Sequence, residues 1–332
     1  MSKIVKKILK YLLIIVVCMG CFSWIYAYTA SSSVTKNASA PTQENMSWMK
    51  QVDDDRSLSS ITIPGTHDSA TCYVRMPYLA KCQVIPIDKQ LECGYRYLDI
   101  RLNVKDNKLY LTHGPCACLN DIAPWSNNLE LSDVLNMCYK FLENNPSETI
   151  VFNVKSENKD QDISQFQDIL NTYIQKDINK WLLTNTMPTL KESRGKVVLA
   201  RRFEDSANMG NISGIPIMWQ DQKGIGTTPF ENGIDPDDTH SLVVQDRFEH
   251  EEEPKLNSFT DTLNAANISK DTLVLNFLST KGPNIYGCPY SYAKSLNPSL
   301  MSLNLSNNKY NGWVIVDFGT AREAKKIYST NL

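Results

Sequence analysis

Glu130-Leu-Ser-Asp-Val-Leu-Asn-Met-Cys-Tyr-Lys-Phe-Leu-Glu143 is followed, after Asn144, by Asn145-Pro-Ser-Glu-Thr-Ile-Val-Phe-Asn-Val-Lys155. The first segment places apolar residues three and four apart and stops before Asn145-Pro146, the pattern of an amphipathic helix. The second is apolar over Thr149–Val154 and then presents one cation, Lys155. A short apolar run of this kind reads as a strand buried on both faces. Helix, stop, buried strand and charged residue, in that order, form the unit of a parallel α/β fold.

The same unit recurs on both sides. Leu58–Ile63, Tyr95–Leu102, Lys108–Thr112, Lys196–Ala200, Ser241–Val244, Thr272–Phe277 and Gly312–Val316 read as further strands. Ile163–Leu183 and Phe259–Asn267 read as helical stretches between them. Strands alternating with helices predict a mainly parallel sheet closed as a barrel. Only Val104–Asn107 separates the second and third strands, which makes a hairpin rather than a crossover. The expectation is therefore a single α/β domain, a distorted (β/α)8 TIM-like barrel over residues 51–332.

Composition sets the outer limits. The 332 residues are 42% hydrophobic and 21% charged, with 14 Gly and 15 Pro, which excludes a disordered tail, a collagen-like repeat and a polytopic membrane protein. The formal charge is −2, but Lys3, Lys6, Lys7 and Lys10 lie in the first ten residues, so the rest carries −6. Nucleic acid is a poor partner for so acidic a domain.

Those lysines precede the uncharged, mostly apolar 18-residue run Tyr11–Tyr28 and the small residues Thr29-Ala30-Ser31-Ser32-Ser33. Basic, apolar, then small is the order of an export signal, and the run also approaches the length of a membrane span. Residues 1–30 are expected to be a signal peptide or an N-terminal anchor, and 31–50 a polar linker. The product is then secreted, or held on the outer face of the membrane if the segment stays. Seven cysteines remain beyond it, an odd number, with Cys72 and Cys82 the expected pair. His113-Gly-Pro-Cys116-Ala-Cys118 lacks a matching second half, so no metal site is expected there.

Chemistry concentrates after the strands. His67-Asp68, Arg101, His113, Lys155, Arg202, Asp246 and Asp317 all follow such runs. In a parallel barrel the carboxyl ends of the strands share one face, so these residues should meet in one pocket. Singly, Lys155 could be a solvated strand end, Asp317 a turn former and Arg202 half of a surface ion pair. Only four histidines exist, and His67 and His113 take two of these positions. His240 and His250, in acidic surroundings, read as surface residues.

Ile63-Pro-Gly-Thr-His-Asp-Ser-Ala70, Tyr97-Leu-Asp-Ile-Arg101, Thr112-His-Gly-Pro115 and Asn145–Lys155 resemble the bacterial phosphatidylinositol-specific phospholipase C family. Arg194-Gly-Lys-Val-Val-Leu-Ala-Arg-Arg-Phe203, Val243-Val-Gln-Asp246 and Gly312-Trp-Val-Ile-Val-Asp317 continue the resemblance in order. It implies a lyase that splits phosphatidylinositol into diacylglycerol and a cyclic inositol phosphate, with glycosylphosphatidylinositol anchors a second candidate substrate. By the resemblance, His67 is the general base and His113 the general acid. Arg101 binds phosphate, Asp68 assists the acid and Asp317 supports the base. Lys155, Arg202 and Asp246 bind inositol hydroxyls. Phe248 stands where the family commonly has the tyrosine that lies against the ring. Calcium-dependent relatives place an acidic cation site where Arg101 stands, so the resemblance implies Ca²⁺ independence and no cofactor.

Two imidazoles suit the reaction on chemical grounds. The inositol 2-hydroxyl lies cis to the phosphate and can attack it internally, which needs a base and an acid near neutral pH. Arg101 offers a planar donor fork to the phosphate oxygens. The rivals are another barrel phosphodiesterase, of the glycerophosphodiester or sphingomyelinase D kind and generally metal-requiring, and a catalytically silent lipid-binding relative. Phosphatidylinositol would be met at the membrane surface by a monomer. Tyr73–Ile85, with Tyr78 and Leu79, and the loop Gly282–Tyr292 are the segments expected at the pocket rim.

Overall fold

The computed structural model describes residues 3–36, 38, 40–204, 214–223, 229–235, 238–265, 272–284, 287–305 and 310–332. Its strands are β1 Ile63–Thr66, β2 Tyr97–Lys105, β3 Lys108–His113, β4 Cys116–Ala117, β5 Ile150–Ser156 and β6 Trp181–Leu182. They continue with β7 Val197–Arg201, β8 Ile215–Pro216, β9 Glu231–Asn232, β10 Ser241–Gln245, β11 Thr272–Phe277 and β12 Trp313–Val316. The helices are α1 Lys3–Lys36, α2 Gln43–Ser47, α3 Pro77–Ala80, α4 Ile87–Cys93 and α5 Leu131–Asn144. After them come α6 Ile163–Lys176, α7 Leu190–Ser193, α8 Glu252–Ala265, α9 Pro289–Ser302 and α10 Ala321–Tyr328.

Among the described residues, parallel pairing runs β6-β7-β5-β2-β1-β12-β11-β10, and β9 adds antiparallel at the far end. β3 folds back on β2 as the expected hairpin. β8 adds to β7, and a single antiparallel bridge between Met218 and Ile234 links the two ends of the sheet. The result is the expected α/β barrel with a weak seam.

Strand alternation sorts the core into an inside and an outside. Ile63, Tyr97, Val151, Val198, Leu242, Leu275 and Trp313 pack together within the sheet. Their neighbours Leu98, Phe152 and Leu199 join Val134, Leu135 and Phe166 of α5 and α6. On the other flank Val314 and Val316 meet Phe259, Leu296 and Ile327 of α8, α9 and α10. Burial on both faces explains why these strands read as unbroken apolar runs.

Several expectations are corrected. Leu58–Ser60 is a 3₁₀ turn, and the strand starts only at Ile63, because Ser57 Oγ accepts from the Ser59 amide and holds the chain in a turn. Ile163–Leu183 splits: the helix ends at Lys176, and Trp181 turns into the sheet edge, where its indole donates to the Tyr139 hydroxyl at 2.7 Å. The helix expected at Phe259–Asn267 starts earlier, at Glu252; residues 266 and 267 lie outside the described residues. The region 31–50 is not an open linker, since α1 runs to Lys36 and Trp48 and Met49 are fully buried. Neither other histidine is a surface residue: His250 is buried, and the imidazole of His240 sits 3.2 Å from the Asp235 carboxylate. Cys72 and Cys82 are buried separate thiols rather than a bridge.

Candidate active site

The inward parity of each strand continues beyond its last core residue, and the site is built from those next positions. Two residues past Gly65 comes His67, two past Ile315 comes Asp317, and two past Val244 comes Asp246. β1 and β12 pair Thr66 with Val316, so His67 and Asp317 emerge side by side. β2 and β5 pair Asp99 with Asn153 and Arg101 with Lys155. β5 and β7 pair Val154 with Arg201, which brings Arg202 next to Lys155. Register alone thus sets three cations in a row opposite a group of carboxylates.

His67 Nδ1 lies 2.8 Å from Asp317 Oδ1, and its Nε2 lies 3.3 Å from Asp68 Oδ2. Burial would lower the pKa of this imidazole, but Asp317 and then Asp68 outweigh it and raise the value to about 9. Asp68 itself has a left-handed backbone, φ 42°, and its backbone N–H donates a hydrogen bond of 3.1 Å to Asp99 Oδ2. That turn aims its carboxylate at three partners. They are His67, Arg101 Nε at 3.1 Å and His113 Nδ1 at 3.4 Å. The two imidazoles stand 6.2 Å apart, nearly perpendicular. His113 Nδ1 donates to the Ala80 carbonyl at 2.9 Å, which leaves Nε2 as its free face.

Arg101 is clamped by carboxylates on several sides. Its guanidinium donates to Asp99 at 3.0 Å and approaches Glu157 at 3.6 Å besides Asp68. Burial opposes its charge, but the three carboxylates win and push its pKa further up. Glu157 also binds Lys155 at 2.8 Å; burial would raise this acid, and Arg101 and Lys155 instead bring it down to about 2. Lys155 is lowered by burial and by Arg101 and Arg202. Across the pocket the Arg202 guanidinium stacks 3.3 Å from the Trp219 ring centre, and the indole nitrogen donates to Asp246 at 2.9 Å.

All but one of the residues expected in the site line one cavity of about 250 Å³: His67, Arg101, His113, Lys155, Arg202, Asp246, Phe248 and Asp317. Asp68 does not line it and is instead buried in contact with His67, Arg101 and His113. Leu79 and Pro289 form part of its edge, one from each segment expected at the rim. Tyr286 of the second segment lies outside the described residues, while Tyr290 and Tyr292 belong to α9 rather than to a loop. Sequence reading missed Glu157 and Trp219. Glu157 was findable, since it sits two positions past Lys155 and so faces the same way. Trp219 follows a two-residue strand that carries no periodic signal.

A ligand set for a cation also lies here: atoms of His67, Asp68 and Cys82 fall within 4.8 Å of one another. Asp68 also meets Arg101 Nε at 3.1 Å. Burial, reinforced by Asp317 and Asp68, drives the Cys82 thiol well above its usual range.

A barrel whose strand ends gather two imidazoles, their carboxylates and a fixed guanidinium around a polar cavity belongs to the class of acid–base phosphodiester-cleaving enzymes. Residues 59–203 match the family described as "Phosphatidylinositol-specific phospholipase C, X domain". The 1-phosphatidylinositol phosphodiesterase of Staphylococcus aureus strain Newman is 30% identical over 89% of this chain and 93% of its own length. The enzyme of that name from Listeria monocytogenes is 27% identical over 98% of both chains. Among solved structures, a double mutant of the Staphylococcus aureus phosphatidylinositol-specific phospholipase C is similar with TM-score 0.71 and 27% identity, over 89% of this chain and 99% of that one. The Listeria monocytogenes enzyme gives TM-score 0.66 and 26% identity over 87% and 99%. The chain belongs to the bacterial phosphatidylinositol-specific phospholipase C family.

Proposed function

We propose that this protein is an exported phospholipase C that cleaves phosphatidylinositol without a metal ion. The observation that carries the reading is the His67–Asp317 contact of 2.8 Å, with a second imidazole 6.2 Å away across Asp68. His67 Nε2 takes the proton of the inositol 2-hydroxyl as its oxygen bonds to phosphorus. The bond from phosphorus to the glyceride oxygen breaks, and His113 Nε2 delivers a proton to that oxygen. Diacylglycerol and a 1,2-cyclic phosphodiester leave, and water later resets the two imidazoles. Each imidazole supplies roughly 10²–10⁴-fold.

Arg101 faces the non-bridging oxygens, where charge builds. Its clamp by Asp68, Asp99 and Glu157 means that no reorganisation is needed when the phosphate arrives. Lys155, Arg202 and Asp246 are suited to the inositol hydroxyls, and Phe248 to one face of the ring. A phenyl ring keeps the stacking and gives up any hydrogen bond a phenol would make. Glycosylphosphatidylinositol shares the same headgroup and is a second candidate substrate. Membrane contact falls to the rim, where Met76 and Trp125 are exposed apolar residues joined through Arg75, whose Nη1 donates to the Pro124 carbonyl at 3.3 Å.

The test is ³¹P NMR of phosphatidylinositol in detergent micelles with the full chain and EDTA. A cyclic phosphodiester resonance that precedes any monoester is the expected result. Turnover only after added Ca²⁺ would refute Arg101 as the metal's substitute. No turnover in either case would favour a silent lipid-binding relative, and loss of turnover in His67→Ala excludes that rival.

A further inference from the structure

The pairing of β1 with β12 ends at Thr66 and Val316, one residue short of His67 and Asp317. One bond continues beyond it, from the His67 amide to the Val316 carbonyl at 3.1 Å. Each of the two residues is then followed by a non-glycine in the left-handed region, Asp68 at φ 42° and Phe318 at φ 51°. Such conformations persist only where the surroundings over-determine them. Here the surroundings include Cys82 and Gln83, near the end of the segment expected at the pocket rim. Both are fully buried, and neither lines the cavity. Gln83 Nε2 donates to the His67 carbonyl at 2.6 Å and to the Val316 carbonyl at 3.1 Å. The Cys82 carbonyl accepts from the Phe318 amide at 2.7 Å. The Cys82 amide donates to Thr71 Oγ1 at 3.0 Å, and that hydroxyl donates to the Asp68 carbonyl at 2.7 Å.

We infer that Gln83 is a positioning residue, whose side-chain amide clasps the ends of β1 and β12 and so holds His67 against Asp317. Two carbonyl oxygens face this side chain, and its NH2 group carries one proton for each. Neither a carboxylate nor an alkyl tip could serve both. Asp317 has a second brace, since its carbonyl accepts from Asn297 Nδ2 at 2.9 Å. The His67 carbonyl has no other donor among the described residues, so His67 is the member that loosens without the clasp. The contact at stake is 2.8 Å from Nδ1 to Oδ1. A shift of about 1 Å takes such a pair out of hydrogen-bonding range. His67 Nε2 would then lose its aim at the inositol 2-hydroxyl, and Nδ1 the carboxylate that fixes its proton. This inference rests on the pocket being the phosphodiester-cleaving site.

The full chain is compared with Gln83→Met, which keeps the side-chain length and removes both donors, on a monomeric short-chain phosphatidylinositol in EDTA. kcat should fall about 10²-fold with KM little changed, the loss expected when a base is displaced by about 1 Å. The low-field ¹H NMR signal of the His67 Nδ1 proton, identified by its loss in Asp317→Asn, should weaken or disappear. The double variant Gln83→Met/Asp317→Asn should be barely slower than Asp317→Asn alone, because the clasp acts through that contact. Losses that multiply in full in the double variant would mean a general packing role. An unchanged rate or an unchanged proton signal in Gln83→Met would mean that the contact stands without the clasp. Each of these results overturns the inference. Should far-UV circular dichroism show Gln83→Met to be unfolded, Gln83→Asn replaces it, since the shorter amide stays polar but cannot reach both carbonyls; the same three results are required of it. If the unaltered chain does not cleave the substrate, the catalytic reading fails instead, and the proton signal still decides whether Gln83 holds His67 to Asp317.

Discussion

At the residue scale, the balance around His67 decides how the enzyme responds to pH. A base with a pKa of about 9 is mostly protonated at neutrality, so kcat/KM should rise with pH toward that value. Asp317→Asn removes the largest contribution holding the proton, so burial regains ground and the rising limb moves to lower pH. The plateau should also drop by roughly 10²–10⁴-fold, because the amide no longer fixes the Nδ1 proton. A pH–rate series on the two proteins reads both effects; an unmoved limb would mean that Asp317 does not govern the base. The same shift bears on stability. A folded pKa raised above the unfolded value near 6.5 contributes stability below pH 6.5, which is lost as pH climbs through about 9. The urea midpoint of the unaltered protein should therefore fall between pH 7 and 9.5, and fall less in Asp317→Asn. Most of the cavity wall was legible in the sequence because each residue sits at or just beyond the carboxyl-terminal part of an apolar strand run. The partners of Arg101 were less so. Asp99 was visible as a neighbour on the same strand face and Glu157 by its spacing from Lys155, whereas the contact from Asp68 depends on a left-handed turn that no local pattern records.

At the scale of elements, the strands were readable because burial on both faces leaves an apolar run, and their ends were not. Ser57, Asp177 and Thr189 instead cap a 3₁₀ turn and two helices next to them, through side-chain and backbone bonds that compete with the periodic signal. The motif Asn145-Pro-Ser-Glu148 has a structural meaning that sequence reading attached only to family likeness. Glu148 is fully buried and pairs with equally buried Arg96 at 2.9 Å. Arg96 also donates to the carbonyls of Asn45 and Met46, at 3.2 and 2.9 Å. The pair thus bolts the start of β2, the loop before β5 and α2 together at the end of the barrel away from the pocket. Arg96→Met would strand the Glu148 carboxylate and should cost about 3–5 kcal/mol. Denaturant unfolding monitored by far-UV circular dichroism measures it. Replacing both partners, Arg96→Met with Glu148→Leu, should recover part of the loss, since the uncompensated charge is then gone. A double variant no more stable than the single one would show that geometry, not charge, holds the junction.

At the scale of the whole molecule, the question is where the folded domain begins. Reading residues 31–50 as a polar linker suggested residue 51. Packing gives a different answer. The Trp48 ring stacks parallel on Tyr328 at 5.2 Å, and its indole donates to the Gly94 carbonyl at 3.0 Å. Asn45 binds the Cys93 carbonyl at 3.2 Å and the Tyr328 hydroxyl at 3.1 Å, so α2 ties α4 to α10 across the base of the barrel. One tryptophan in a polar stretch carries no periodicity, which is why composition missed it. Removing that indole alone should cost about 3–5 kcal/mol, and the orphaned donors of Arg96 add to it. That is comparable with the roughly 5–15 kcal/mol that holds a typical domain folded. A chain starting at residue 51 should therefore lose its cooperative urea transition. One starting at residue 40 keeps Thr42 to cap α2 and should unfold in a single sharp step, with α1 gone. Its activity on a monomeric substrate should match the full chain, because no residue of α1 lines the cavity. A cooperative, active protein from residue 51 would show that the base of the barrel closes without α2.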